Sequence, residues 1–265
     1  MGRPGAADAL PPAARARGRS GTGDEDFTSL ELTSDGGYFM VGTSFLGIYF
    51  IKTDGYGNIE WKKRYGGSDD LGVSGRQTSD GGYIITGYTG SYGAGSWDVY
   101  LLKIDMAGNL LWTKTYGGPN LDGAQTWGQP VQQTSDGGYI ITGESGNGSI
   151  GNWDYFLIKT DMNGDTSWVR TYGGIIRELA YAVIQSDDGG YLMVGYSESY
   201  GAGGWDAYVV KTNSDGSIQW SKTYGGAGDE GIYSVQQTTD GGYILLCWTD
   251  SYGATGDYDS YLIKT

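Results

Sequence analysis

Carboxylates next to aromatic rings recur along this chain of 265 residues. The pairs are Trp97-Asp98, Trp153-Asp154, Trp205-Asp206 and Tyr258-Asp259, whereas Leu46-Gly47 stands at the corresponding place earlier in the chain. A ring has an apolar face that can stack on a sugar, and a carboxylate accepts hydrogen bonds from hydroxyls. The same Asp residues could instead accept backbone N–H bonds from the Gly-rich loops before them. Both interpretations stay open at this point.

The loops that contain these pairs carry further aromatic candidates. They read SYGAGSWD, GNGSIGNWD, SYGAGGWD and SYGATGDYD, and three of them contain Tyr92, Tyr200 and Tyr252. Long, variable loops on a rigid scaffold are where binding residues concentrate. We therefore predict a binding site made of these tyrosines and the aromatic–Asp pairs. The acids after each YGG, such as Asp122 and Glu178, would lie at the same edge, so a Ca²⁺ ion at this loop face is possible.

Enzymatic chemistry finds little support in the residue types. The chain has no His, which removes the commonest general base and metal ligand, and its one Cys, Cys247, cannot form a cysteine zinc site. A carboxylate hydrolase would need one acid pair about 5 to 9.5 Å apart. Most acids belong to a repeat, and the others, such as Glu144, Glu198 and Asp250, form no pattern. We therefore expect that the protein is not an enzyme and binds no cofactor. We interpret the recurring Trp residues as packing groups rather than as part of a quinone-cofactor site.

Charge and hydropathy exclude two classes of partner. With 17 basic and 31 acidic residues the net charge is −14, which repels phosphate backbones and anionic membranes. No apolar stretch approaches the roughly 18 to 20 residues that a membrane helix needs. Residues 1–20 are rich in Ala, Arg and Pro and lack the apolar core of a secretory signal. We expect this segment to be disordered or non-native.

A repeated decapeptide sets the organisation of the rest. TSDGGYIITG occurs at 78–87 and again at 134–143, and close variants begin at Thr33, Ser186 and Thr238. A motif that returns about every 50 residues indicates a repeat architecture. We divide residues 21–265 into five units: 21–64, 65–115, 116–171, 172–223 and 224–265.

Each unit contains four segments of strand composition, which we call A to D. A tight DGG turn joins A to B, an Asp-x-x-Gly-Asn type of turn joins C to D, and strand D carries a Trp. The last unit stops after strand C. The sequence thus predicts an all-β fold: a β-propeller of five four-stranded antiparallel blades whose last blade lacks its outer strand. Either these blades close into a ring, or they are part of a larger propeller.

The segment between Tyr65 and Gly118 resembles the β-propeller repeats of bacterial and archaeal cell-surface and secreted proteins. The resemblance lies in the successive motifs YGG, DD, DGGYIITGYT, WD and YLLKIDMAGNLLWTKTYGG. It is similar to the type called the seven-bladed β-propeller repeat. The resemblance implies an extracellular or cell-surface, non-enzymatic module of a longer protein, and no site residues follow from it. We expect a monomer or module that binds a glycan or a protein partner. A passive structural spacer is the alternative, and a carboxylate-based glycoside hydrolase is the third hypothesis.

Overall fold

The computed structural model describes residues 25–120, 122–123, 128–146, 153–252 and 258–265. Within these ranges the chain forms twenty β-strands and no helix, so none of the described segments is a helix that could cross a membrane. The predicted N-terminal segment 1–20 lies outside the described residues.

The strands form five antiparallel sheets in chain order. Sheet 1 contains β1 (Glu25–Leu32), β2 (Tyr38–Ser44), β3 (Gly47–Thr53) and β4 (Ile59–Tyr65). Sheet 2 contains β5 (Asp70–Gln77), β6 (Tyr83–Thr89), β7 (Asp98–Ile104) and β8 (Leu110–Tyr116). Sheet 3 contains β9 (Asp122–Gly123), β10 (Val131–Gln133), β11 (Tyr139–Ser145), β12 (Asp154–Thr160) and β13 (Thr166–Tyr172).

The last two sheets follow the same plan. Sheet 4 contains β14 (Glu178–Gln185), β15 (Tyr191–Ser197), β16 (Asp206–Thr212) and β17 (Ile218–Tyr224). Sheet 5 contains β18 (Glu230–Gln237), β19 (Tyr243–Thr249) and β20 (Asp259–Lys264). Each sheet is a meander in which A pairs with B, B with C and, in sheets 1 to 4, C with D. The arrangement is a five-bladed β-propeller, and the predicted fold class is confirmed, including the three-stranded last blade.

The repeated decapeptide forms the hairpin between strands A and B. In sheet 2, Gly81 has a φ of +81°, a left-handed conformation that favours glycine. The Asp80 carboxylate accepts hydrogen bonds from the Thr78 hydroxyl at 2.6 Å and the Gly82 N–H at 2.9 Å. The carboxylate also binds the Lys103 ammonium of strand C at 3.0 Å. The Lys of each C strand pairs in the same way with the Asp of its own DGG turn.

The apolar core lies between consecutive sheets. In sheets 2 to 5 the Tyr of the DGGY motif inserts into the preceding sheet: Tyr83 stacks on Phe39 with ring centroids 4.1 Å apart. The Trp of the preceding strand D borders the same contact, because Trp112 lies 5.9 Å from Tyr139 and Trp168 lies 5.9 Å from Tyr191. This confirms the interpretation of the Trp residues as packing groups. The A strands, which begin each blade, line the inner surface of the propeller.

Candidate functional site

The Asp residues at the start of the C strands are buried. Asp98 and Asp206 are each 2% exposed and Asp154 is 4% exposed. One carboxylate oxygen of Asp206 accepts the backbone N–H groups of Ala202 and Gly203, at 3.0 and 3.2 Å. Asp98 accepts the N–H of Ala94 at 2.8 Å in the same way. These two carboxylates hold their own Gly-rich loops, which is the second of the two roles left open by the sequence.

The acids that follow YGG hold the connection between one blade and the next. Glu178 and Glu230 are fully buried. Glu230 accepts the Gly226 N–H at 2.7 Å and the Thr249 hydroxyl at 2.6 Å, so it joins the D–A connection to the end of strand B. Glu178 makes the equivalent bonds to Gly174 and Ser197. Their carboxylate oxygens are buried and stabilise the connections between blades.

The two sets of acids approach each other across a glycine. A Cβ at Gly117 would overlap Oδ1 of Asp98 and would lie 3.1 Å from Oδ2 of Asp122. Burial, together with the negative charge of Asp122, raises the pKa of Asp98 above its ordinary value. Among the residues that the structure describes, no three Asp, Glu, Cys or His side chains come together as metal ligands.

The predicted aromatic residues differ in accessibility. Tyr92, Tyr200 and Tyr252 are 55%, 42% and 54% exposed, whereas Trp205 is half-buried and stacks on Tyr196 with centroids 4.7 Å apart. The Tyr200 hydroxyl donates to the Gly173 carbonyl at 2.8 Å. The rings of these three tyrosines are thus accessible, whereas the ring of Trp205 is largely covered.

The remaining predicted residues fall into two groups. Trp97 and Trp153 are half-buried, like Trp205. Tyr258 and Asp259, in the last sheet, are exposed, and Tyr258 lies edge-on to Trp248 at 5.2 Å. Most of the loops before Asp154 and Asp259, at 147–152 and 253–257, fall outside the described residues.

A second candidate site lies at the opposite end of the blades and was not predicted from the sequence. The ends of all five A strands line an open cavity of about 630 Å³. Its lining is mainly carboxamide: Gln77, Gln129, Gln132, Gln133, Gln185, Gln236 and Gln237. The available signal was a Gln three residues before the Asp of the DGG turn in four of the five units, where the first unit has Leu32.

Part of this glutamine cluster fastens neighbouring blades together. The Gln237 carbonyl oxygen accepts the Asp187 N–H at 2.9 Å, and Gln185 accepts the Ser135 N–H at 2.8 Å. Each bond runs from the turn of one blade to the A strand of the next. The side chains of Gln129 and Gln236, by contrast, make no hydrogen bond to another described residue, and their amides are available to a ligand.

Two acids, one base and three apolar residues complete the lining of the cavity. Glu31 accepts the Gln77 N–H at 2.8 Å and lies 3.9 Å from the Arg76 guanidinium. Burial raises the pKa of Glu31, and the Arg76 charge and the Gln77 N–H offset only part of that rise. Asp187 lines the cavity from sheet 4 and is exposed. The cavity therefore presents neutral donors and acceptors together with a few charged and apolar groups.

Comparison with known proteins supports the fold. No family model matches the sequence. The chain is 30% identical over 166 residues to the regulatory protein FlaEY of Caulobacter vibrioides, a match that covers 53% of this chain and 17% of that protein. The chain thus spans less than a fifth of the length of this relative.

Solved structures of similar shape have low sequence identity. A protein of unknown function from Bacteroides caccae is 12% identical with a TM-score of 0.55, covering 91% of this chain and 82% of that one. Puromycin hydrolase is 16% identical (TM-score 0.54), covering 86% of this chain and 36% of that one. The endo-arabinase of Bacteroides thetaiotaomicron is 13% identical (TM-score 0.52), covering 91% and 93%. At these identities the likeness concerns the fold alone.

Proposed function

We propose that this propeller is a non-catalytic binding module that takes a neutral glycan into the glutamine-lined cavity. The cavity carries this proposal, because its volume of about 630 Å³ suits a small ligand. A primary amide both donates and accepts hydrogen bonds, as does a sugar hydroxyl. Gln129 and Gln236 have amides free to do so. The net charge of −14 disfavours sulfated or acidic glycans.

The loop face with Tyr92, Tyr200 and Tyr252 is the second surface for the same function. Its exposed rings could stack on a glycan or contact a protein partner. The extracellular or cell-surface setting is part of the proposal and is supported by the resemblance of the repeat. A passive spacer would bind at neither surface.

A carboxylate hydrolase is the second candidate function, and one observation favours it. Glu31, whose pKa burial raises, and Asp187 line the same cavity. A carboxyl group with a raised pKa is suited to donate a proton to a leaving group. Under this alternative, a bound oligosaccharide would be cleaved, and Glu31→Gln would abolish cleavage while binding persists.

An array of neutral, sialylated and sulfated oligosaccharides tests the proposal. We expect wild-type protein to bind neutral members only. Gln129→Ala and Gln236→Ala should each weaken binding about five- to tenfold, the loss of one or two hydrogen bonds. Tyr200→Ala tests the loop face, and Tyr56→Ala is its control, since Tyr56 is 79% exposed at a C–D turn, at the opposite end of the blades.

The outcomes separate the hypotheses. Neutral binding that the glutamine variants leave unchanged but Tyr200→Ala abolishes would move the site to the loop face. No binding by the wild-type protein would refute the glycan proposal and favour the spacer. Shortened products after incubation with the strongest binder would favour the hydrolase.

A further inference from the structure

A smaller cavity lies between sheets 2 and 3, near the loop face and away from the glutamine-lined cavity. Its volume is about 220 Å³, below the roughly 300 Å³ at which pockets for drug-sized ligands begin. Apolar side chains form most of its wall: Val99, Tyr116, Phe156, Ile158 and Val169. Thr171 and Val169, in strand D of sheet 3, are exposed. The cavity is therefore open to solvent at the outer rim of the propeller.

One end of this cavity is acidic. Asp122 and Gly117 line it, and a Cβ at Gly117 would overlap Oδ1 of Asp98 and lie 3.1 Å from Oδ2 of Asp122. Asp98 is 2% exposed, and among the described residues none donates a hydrogen bond to its Oδ1. Burial and the charge of Asp122 raise the pKa of Asp98, and no basic side chain in the described part of the chain lowers it. The buried carboxylate of Asp98 thus has no counterion from these residues.

The equivalent place between sheets 4 and 5 is filled by a longer acid. A Cβ at Gly225 would overlap both Oδ1 of Asp206 and Oε2 of Glu230. Asp122 stands at the place of Glu230 but is one methylene shorter, and its Oδ2 lies farther from the corresponding glycine. The shorter side chain leaves room beside Asp98.

The lining favours one kind of cation. Ca²⁺ and Mg²⁺ take about six or more oxygen ligands, which a largely apolar wall does not supply. An ammonium group donates three hydrogen bonds. The Asp122 carboxylate and the Ser145 hydroxyl, which are neighbours in register, are acceptors at the acidic end.

The apolar part of the wall fits the rest of such a ligand. It runs from Phe156 to Ile158, two residues along strand C, or about 7 Å. An ammonium group on a four-carbon chain, as lysine carries, has a comparable length. The Phe156 ring adds a π surface that attracts cations.

We propose that this cavity binds a primary ammonium group on a short aliphatic chain, from either a free alkylamine or a lysine side chain of a partner protein. Asp122 and Ser145 accept its N–H groups, and the buried charge of Asp98 attracts the cation. The net charge of −14 favours cationic ligands in general. This site is separate from the glutamine-lined cavity and does not depend on the glycan proposal.

An NMR titration tests the proposal. Protein with ¹³C-labelled methyl groups is titrated with n-butylammonium chloride, and the Val99 and Ile158 methyl signals should shift and saturate. The uncharged analogue 1-butanol should bind about tenfold more weakly, and Asp98→Asn and Asp122→Asn should each weaken ammonium binding about tenfold. Asp69→Asn is the matched control, because it removes the same charge from an exposed position at the loop face. Its affinity should equal that of the wild-type protein.

A second titration identifies the source of the ammonium group. The peptide acetyl-Gly-Lys-Gly-amide is compared with the same peptide carrying norleucine in place of lysine. Saturable shifts with the lysine peptide alone of these two assign the site to a lysine side chain, whereas binding of butylammonium without the peptide assigns it to a free amine. Methyl signals that neither ligand moves would overturn the proposal. So would equal affinity for 1-butanol, or an Asp69→Asn variant that loses as much affinity as the two cavity variants.

Discussion

Removing the carboxylate of Asp188 should destabilise the protein far more than removing the ammonium of Lys211, although the two form one ion pair. The Lys211 Nζ lies 2.8 Å from Oδ2 of Asp188 and donates to the Thr212 carbonyl at 2.9 Å. The exposures are unequal, since the Lys side chain is 3% exposed and the Asp side chain 49%. Removing the Asp therefore leaves a buried positive charge, whereas removing the Lys leaves a negative charge that water can reach.

The magnitudes follow from that asymmetry. Asp188→Ala leaves a buried ammonium with one carbonyl, and an uncompensated buried charge costs about 3 to 5 kcal/mol. Lys211→Met keeps the length of the apolar side chain and leaves a carboxylate that water can solvate. The lost pair and the lost bond to Thr212 together cost about 1 to 2 kcal/mol. The double variant should be more stable than Asp188→Ala alone, because the stranded charge is gone.

Urea unfolding at pH 7, followed by tryptophan fluorescence, measures the four stabilities of this cycle. We expect a strong non-additive coupling between the two substitutions. If Lys211→Met costs as much as Asp188→Ala, or if the two costs add in the double variant, the reasoning from unequal burial is wrong. Asp215→Ala is a control, since that exposed carboxylate bonds only within its own turn.

Three further predictions concern single titratable groups. Burial opposes ionisation of Asp136, but the hydrogen bonds that it accepts from the turn threonine and the strand lysine lower its pKa to about 2. The stabilisation by this carboxylate should therefore be full above about pH 4, the pKa in the unfolded chain, and be lost as the pH falls towards 2. Acid unfolding of the wild-type protein and of an Asp136→Asn variant measures this loss. Asp98→Asn should stabilise the protein by about 1 kcal/mol at pH 7, because an amide can donate a hydrogen bond to Asp122. This advantage over the wild-type protein should shrink as the pH falls through the raised pKa of Asp98. Equal urea midpoints of variant and wild type at pH 7 would contradict the prediction. Burial raises the pKa of the Cys247 thiol to about 12, so a thiol reagent at pH 8 should modify it only after unfolding, and rapid modification of the native protein would refute its burial.

The repeat made the fold predictable, because local patterns set each element. The DGG turn needs glycine at a left-handed position, and Gly81 occupies one. Alternating β-branched and aromatic residues set the strands, and the recurring Trp residues supplied the packing between sheets. The fold is confirmed, whereas the particular repeat family and its cell-surface setting remain predictions.

The site was less predictable, because its contacts join residues of different blades. Gln237 meets the N–H of Asp187, 50 positions away in the chain, and nothing local distinguishes it from an exposed polar residue. The role of Asp206 depended on loop geometry that residue types alone leave open. Tyr38 and Tyr83 occupy the same motif, yet only the position of the sheet in the row decides that one is exposed and the other buried.

The most direct test of the ligand site follows the side-chain amide signals of the glutamines by NMR. Protein labelled with ¹⁵N is titrated with the neutral oligosaccharide that binds best on the array, and Gln129→Ala and Gln236→Ala assign the two signals. We expect shifts of the Gln129 and Gln236 amides that saturate with the ligand, while the Tyr200 ring signals stay in place. Shifts confined to the loop-face tyrosines, or unchanged glutamine amides at saturation, would contradict it.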